Sequence, residues 1–294
     1  MRFSHVLNVI SENAGALAGD IDQWLGPWRA EAPLTWLSDG YAFDAPIVGD
    51  TGKALAEARA QAGSDADINV VATENRRKRL LISDMESTII ACECLDELAD
   101  IAGIKPQIAA ITERAMKGEI AFEGALRERV GLLKGLPLTA LERVWRERVQ
   151  LIPGAKELVA TMKTHGAQTL LVSGGFTFFT SRVAELVGFD AFQSNVLLDD
   201  GAALTGKVGE PILGREAKLT ALERALAQDG LQADDALAVG DGANDLAMIQ
   251  RAGLGVAYHA KPLVAAAAGA SITHNDLTAL LYLQGYRDEE IISS

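Results

Sequence analysis

The chain has 294 residues, 49% apolar, 23% charged and 5% aromatic, with a formal net charge of −13. That apolar fraction excludes wholesale disorder, and at about 150 residues per domain the length suggests two domains. An acidic surface with few aromatic rings disfavours DNA, RNA or anionic lipid as a partner, so an anionic ligand needs a local cationic pocket.

The first twenty residues are soon interrupted by acids and an Asn and do not read as a secretory signal. No apolar run reaches the roughly 18–20 residues of a membrane span. SHVLNVI is β-like, GALAGDIDQWLG helical, and PLTWLS and YAFDAPIV read as strands around the turn residues Asp39 and Gly40. GKALAEARAQAG is Ala-rich and helical, and DINVVA is again β-like. The order βαββαβ over residues 1–75 suits a small ferredoxin-like module, structural or dimerising rather than effector-binding. ENRRKR at 74–79 reads as a solvated linker.

Beyond it, Leu80-Leu81-Ile82 is a buried-strand pattern, and from about Leu95 to Gln150 only helical patterns occur. KELVATMKTHGA then reads as a helix, QTLLV as a strand, FTFFTSRVAELVGF as a helix and SNVLLDDGAALTGKV as a hairpin. REAKLTALERALAQDG is helical, ALAVGD a strand, NDLAMIQRAG a helix and GLGVAY a strand. Strands alternating with helices predict a parallel sheet covered on both faces, with the helical block as an insertion after its first strand. The only cysteines, Cys92 and Cys94, read as reduced packing thiols of a cytosolic protein.

In such sheets ligands sit beyond the carboxyl ends of the strands. Those ends are Ser83-Asp84-Met85-Glu86-Ser87-Thr88, Ser173-Gly174-Gly175 and Gly240-Asp241-Gly242-Ala243-Asn244-Asp245. Together they place Asp84, Glu86, Asp241 and Asp245 around one crevice. Carboxylates so gathered need a cation, and oxygen-only donors favour Mg²⁺. Ser173, the Gly174 and Gly175 N–H groups at the start of the next helix, and a lysine such as Lys218 can seat a phosphate. A carboxylate can then attack phosphorus and form an acyl phosphate. Taken singly, each signal has a plainer reading as a surface acid, a turn or a solvated lysine. GDGAND lacks the terminal Glu of an EF-hand loop.

DMESTII, VSGGF, Lys218 on its helix and GDGANDLAMI resemble the four motifs of the haloacid dehalogenase-like phosphotransferases. From Leu81 to about Leu283, ECLDELA, ITERAMKGEIAFEGALRERVGLLKG, SGGFTFF and VGDGANDLAMIQRAGLGVAYHAKP resemble more narrowly the phosphoserine phosphatases of that superfamily. The resemblance implies a Rossmann-like α/β core over 76–92 and 151–294, a helical cap over 93–150, and an ACT-like α+β module over 1–75. It implies that Asp84 is the nucleophile and Glu86 the general acid and base, its backbone carbonyl also on Mg²⁺. Asp84, Glu86, Asp241 and Asp245 would be the metal set, with Asn244 in support. Ser173, Gly174 and Lys218 would hold phosphate, Glu93 the substrate ammonium and Arg129 its carboxylate, while Met116 and Phe122 close the cap. On residues alone, Glu93 reads instead as a helix-start carboxylate and Arg129 as a partner of Glu128 or Glu123.

The implied activity is cytoplasmic, Mg²⁺-dependent hydrolysis of L-phosphoserine to L-serine and phosphate, completing serine biosynthesis; a homodimer is compatible with it. One departure stands out: the family pattern D-x-D-S-T has Glu86 as its second acid here, one methylene longer, which can slow the enzyme. The same chemistry on another small phosphate, transfer to an acceptor such as homoserine, and a non-catalytic sensor remain open alternatives.

Overall fold

The computed structural model describes residues 3–293, except for the side chain of Met116. The chain opens with β1 (His5–Ile10), α1 (Ala14–Leu25), β2 (Thr35–Ser38), β3 (Ala42–Ile47), α2 (Thr51–Gln61) and β4 (Asp67–Ala72). The four strands form an antiparallel sheet in the order β2-β3-β1-β4, the expected ferredoxin-like arrangement. Side chains alternate across a strand, and β1 uses both of its faces. Leu7 and Val9 pack with Ile21 and Leu25 of α1 and with Ala54 and Ala58 of α2. Val6 and Ile10 join the core cluster of the rest of the molecule. The sheet face away from its own helices is therefore packed against the rest of this same chain through Val6, Ile10, Leu37 and Val71.

Two polar joints fix the module. At the first, Asn8 Nδ2 donates to Asp44 Oδ1 (2.9 Å) and to the Tyr282 carbonyl (3.2 Å). Arg76 grips the same carboxylate with two nitrogens, at 2.5 and 2.9 Å, and donates to the carbonyls of Tyr282 and Leu283. At the second, Asp67 accepts the backbone N–H groups of Thr273, His274 and Asn275 at 2.7, 3.1 and 3.0 Å. Beside it the Asn69 amide exchanges two hydrogen bonds with the Ser271 backbone. The basic run 74–79 is thus not a solvated linker. Asp44 is buried in β3 and needs a cation; Arg76 supplies it, and Lys78, also buried, donates to the carbonyls of Asn75 and Asp234.

After β5 (Leu80–Ser83) come four helices, α3 (Cys94–Ile101), α4 (Lys105–Met116), α5 (Phe122–Gly131) and α6 (Thr139–Glu147). The chain continues through α7 (Ala155–Thr164), β6 (Gln168–Phe176), α8 (Thr177–Val187), β7 (Ala191–Asn195), β8 (Leu197–Asp199) and β9 (Leu204–Val208). It ends with α9 (Arg215–Asp229), β10 (Ala236–Gly240), α10 (Leu246–Arg251), β11 (Leu254–Tyr258), α11 (Pro262–Ala267), β12 (Ala270–Ile272) and α12 (Ala279–Leu283). Six strands form a parallel sheet in the order β12-β11-β10-β5-β6-β7. Leu80, Ile82, Ala236 and Ala238 face Leu222, Leu226, Met248 and Ile249 of α9 and α10. Leu81, Leu237 and Val239 face the side of α7 and α8, with Leu158, Phe179 and Val183. Burial on both faces makes these strands read as unbroken apolar runs.

The edge strands β7 and β12 have no counterpart in the sequence reading. β7 (AFQSN) is polar and half exposed, and β12 has three residues. The hairpin β8–β9 forms as expected, but it bonds into the helical insertion. Gly135 N–H donates to Leu204 O, Leu204 N–H to Leu136 O and Leu138 N–H to Ala202 O.

Candidate active site

The Asp84 N–H donates to Val239 O at 3.0 Å, which carries β5 one residue further along β10 and sets its carboxylate at the sheet end. Asp84, Asp241 and Asp245 each bring a carboxylate oxygen within 4.8 Å of the others. Lys218 reaches in from α9, its Nζ 2.7 Å from Asp84 Oδ2 and 2.5 Å from Asp245 Oδ1. Asp245 folds back under the turn, where Oδ2 accepts the Gly242 N–H at 3.0 Å. A side chain at Gly240 would collide with that carboxylate, so the turn after β10 requires glycine. Asn244 lies half-buried in the same turn.

Burial, followed by the Asp84 charge, pushes Asp241 up to about 6 and Asp245 up to about 7. Burial alone would lower the Lys218 ammonium, but Asp84 and Asp245 outweigh it and hold Lys218 above its ordinary value. One ammonium facing three carboxylates leaves a charge deficit. A divalent cation would correct it, and a donor set made only of oxygen suits a hard ion. The residues present therefore fit a metal, with Asp84, Asp241 and Asp245 as its side-chain donors.

The side chain of Glu86 does not join the three-acid cluster found among the described residues. Its Oε1 accepts the N–H of Cys94, the first residue of α3, at 2.7 Å. Glu93 holds the N-cap position of that helix but makes no capping bond, so Glu86 satisfies the helix end in its place. Burial, then the charge of Glu93, pushes Glu86 up to about 8, partly offset by the Cys94 N–H. A Cβ on Gly175 would stand 2.8 Å from Glu86 Oε2, so glycine there makes room for the acid.

Glu93 accepts the Ser87 hydroxyl at 2.8 Å and stands at the N-cap of α3, so it is a helix-start carboxylate, though without a capping bond. Ser87, which sequence reasoning did not single out, sits at φ 56. That left-handed turn aims its hydroxyl back at Glu93; a serine inside a motif gives no outward sign of it.

Arg129 lies half-buried on α5 and donates only weakly, to Ala125 O at 3.4 Å. Glu128 pairs instead with Arg114 at 2.9 Å. Among the described residues no carboxylate lies within ion-pair distance of Arg129. Burial lowers its pKa, against the fields of Asp96, Glu86 and Glu93. Phe122 starts α5 above Gly174, where an added Cβ would meet its ring at 3.8 Å. The expected role of Met116 falls on a side chain outside the described residues.

The Ser173 segment departs from expectation. β6 continues through Ser173, Gly174 and Gly175 to Phe176, and α8 begins only at Thr177. The glycine N–H groups are therefore not at a helix start. β6 loses register with β7 after Val172 and regains it where Phe176 faces Asn195, so the two glycines form an irregular stretch inside the strand. Ser173 is buried, and its Oγ accepts the Gly175 N–H at 2.9 Å.

Residues 81–250 match the family model described as haloacid dehalogenase-like hydrolase. A phosphoserine phosphatase of Polaromonas sp. is 48% identical over 210 residues, which cover 70% of this chain and 89% of that protein. One of Archaeoglobus fulgidus is 44% identical over 218 residues, which cover 74% of this chain but only 63% of that longer protein. The crystal structure of a probable phosphoserine phosphatase from Vibrio cholerae superposes with a TM-score of 0.80 at 34% identity, covering 95% of this chain and 86% of that one. The chain belongs to the haloacid dehalogenase-like hydrolases, within the phosphoserine phosphatase branch of that family.

Proposed function

We propose that the chain is a Mg²⁺-dependent phosphoserine phosphatase of the cytoplasm that releases L-serine and phosphate. One observation carries the reading. Asp84, neighboured by Lys218 and two further acids, lies at the end of a sheet whose inserted helices present a half-buried Arg129 that has no carboxylate partner among the described residues. Phosphoserine supplies what is missing on both sides: a phosphate for the lysine and the metal, and a carboxylate for the arginine fork.

In this reading, Asp84 attacks phosphorus in line and becomes the aspartyl phosphate, while Glu86, protonated beforehand, gives its proton to the departing serine oxygen. Glu86 then takes a proton from water, and that water's oxygen attacks the acyl phosphate, which releases phosphate and restores Asp84. A bound Mg²⁺ would neutralise phosphate charge. Ser173, Gly174 and Lys218 hold the phosphate oxygens, and Glu93 receives the ammonium. Phe122 and Met116 close over the bound substrate, and Asn244 supports the turn that carries Asp245. The division of labour is a module over 1–75, a core over 76–92 and 151–294, and a lid over 93–150.

The test is phosphate release from L-phosphoserine by the full chain, with magnesium and with chelator. Turnover requires magnesium and vanishes in Asp84→Asn. Release that survives both treatments rejects the reading.

A further inference from the structure

Asn195 ends β7 and is 2% exposed. Its Nδ2 donates to Gly174 O at 2.8 Å and, more weakly, to Leu213 O at 3.4 Å; its Oδ1 accepts the Leu213 N–H at 2.7 Å. Gly174 lies in the stretch where the β6–β7 ladder is interrupted, so its carbonyl has no strand partner there and the Asn195 amide fills the gap. That carbonyl belongs to the same peptide plane as the Gly175 N–H, which donates to Ser173 Oγ. With both ends of the plane held, the Ser173 oxygen is already an acceptor, and its own proton stays free to be donated to a ligand. Leu213, held by the other side of the amide, immediately precedes Gly214, the N-cap of the helix that carries Lys218.

We infer that Asn195 is a positioning residue for the phosphate seat: one buried amide fixes the Gly174–Gly175 peptide, and through it the donor direction of Ser173, relative to the helix that delivers Lys218. The inference rests on the phosphatase reading above. Asn195 touches no substrate atom in it.

The test compares product inhibition by inorganic phosphate and by L-serine in the wild-type chain and in Asn195→Asp. The aspartate keeps the oxygen facing the Leu213 N–H and replaces the donor facing Gly174 O with an acceptor. The inhibition constant for phosphate is expected to rise about 10- to 100-fold, with a matching fall in kcat/KM, as for a misplacement of about 1 Å. The constant for L-serine, held by Glu93 and Arg129, stays as in the wild type. Equal weakening of both inhibitors, or of neither, overturns the inference. If Asn195→Asp does not fold, Asn195→Ser is read by the same ratio. Failure of both to fold makes the amide a fold element and overturns the inference too. A wild-type chain that releases no phosphate sinks the phosphatase reading. An active wild type whose variant binds phosphate normally sinks only the role of Asn195.

Discussion

Glu86 does two things that substitution can separate. It accepts the Cys94 N–H at 2.7 Å, and burial plus the charge of Glu93 raise its pKa to about 8. Glu86→Gln keeps the side-chain length and the accepting oxygen, so the end of α3 stays capped, but nothing titrates. Losing a general acid and base costs about 10²–10⁴ in turnover. Glu86→Asp keeps the carboxyl but withdraws it by one carbon–carbon bond, about 1.5 Å. That breaks the bond to Cys94, and an uncapped helix costs about 0.5–2 kcal/mol. The withdrawn carboxyl loses up to about 10²-fold in rate. Turnover should therefore rank wild type above Asp above Gln, while thermal stability ranks wild type and Gln together above Asp. Steady-state phosphate release and thermal unfolding read the two orders. The pH profile adds a sign. A carboxyl held protonated at neutral pH is a ready acid that fails as pH rises through its pKa, so the wild-type alkaline limb should be missing from Glu86→Gln. Gln turnover within a few-fold of wild type, or Asp unfolding at the wild-type temperature, would refute the reasoning.

Arg129→Ala should lower kcat/KM for L-phosphoserine by about 10- to 100-fold, the worth of a charge-assisted hydrogen bond. It should leave a phosphate ester without a carboxylate nearly untouched, and the ratio of the two substrates reads it. Lys218→Met strands the buried Asp84 and Asp245, and removing one side of a buried pair costs about 3–5 kcal/mol. Thermal unfolding in chelator should show the loss, with magnesium restoring part of it. Asp67→Ala leaves three backbone N–H groups without their acceptor, a loss of roughly 3 kcal/mol or more. Hydrogen exchange should then rise first in β4 and β12, and uniform exchange across the chain would count against a local joint.

The parts of this molecule legible in the sequence are those where one residue type has one physical use. β1, β5 and β10 announce themselves because both faces are buried, and the acids at the sheet ends stand out because four carboxylates at two strand ends have few other reasons to gather. β7 was invisible because an edge strand needs no apolar alternation, and β12 because three residues carry no period. The run at 74–79 misled for a different reason. Its partner, Asp44, lies 32 residues away in an apolar strand, and only the fold reveals that this aspartate is buried and must be paired. The Gly174–Gly175 pair reads as a helix start because a strand usually yields to its helix at such a pair; here the strand bulges and resumes. Arg129 is ambiguous on charge alone, since Glu128 and Glu123 both lie on its own helix. The Arg114–Glu128 pair removes one of those partners.

The same side chain links the chemistry to the inserted helices. Glu86 sits two residues after Asp84, the proposed nucleophile, yet its carboxylate is seated on the first N–H of α3. Its neighbour Ser87 likewise holds Glu93 at the threshold of that helix. If Glu86 is the proton donor of the proposed reaction, the position of α3 and the position of that donor are therefore one variable. A cap held away from the core would pull Cys94 from Glu86 and release the acid from its place beside Gly175, so water would enter when the donor is least ordered. In the proposed reaction, a seated α3 would align the donor while Arg129 and Phe122 on α5 would meet the substrate's other end. Coupling of this kind would make closure a condition for the proposed proton transfer rather than a shield added to it. It also gives the longer Glu86 a physical use, because an aspartate at that position, on the same backbone, falls short of the Cys94 N–H.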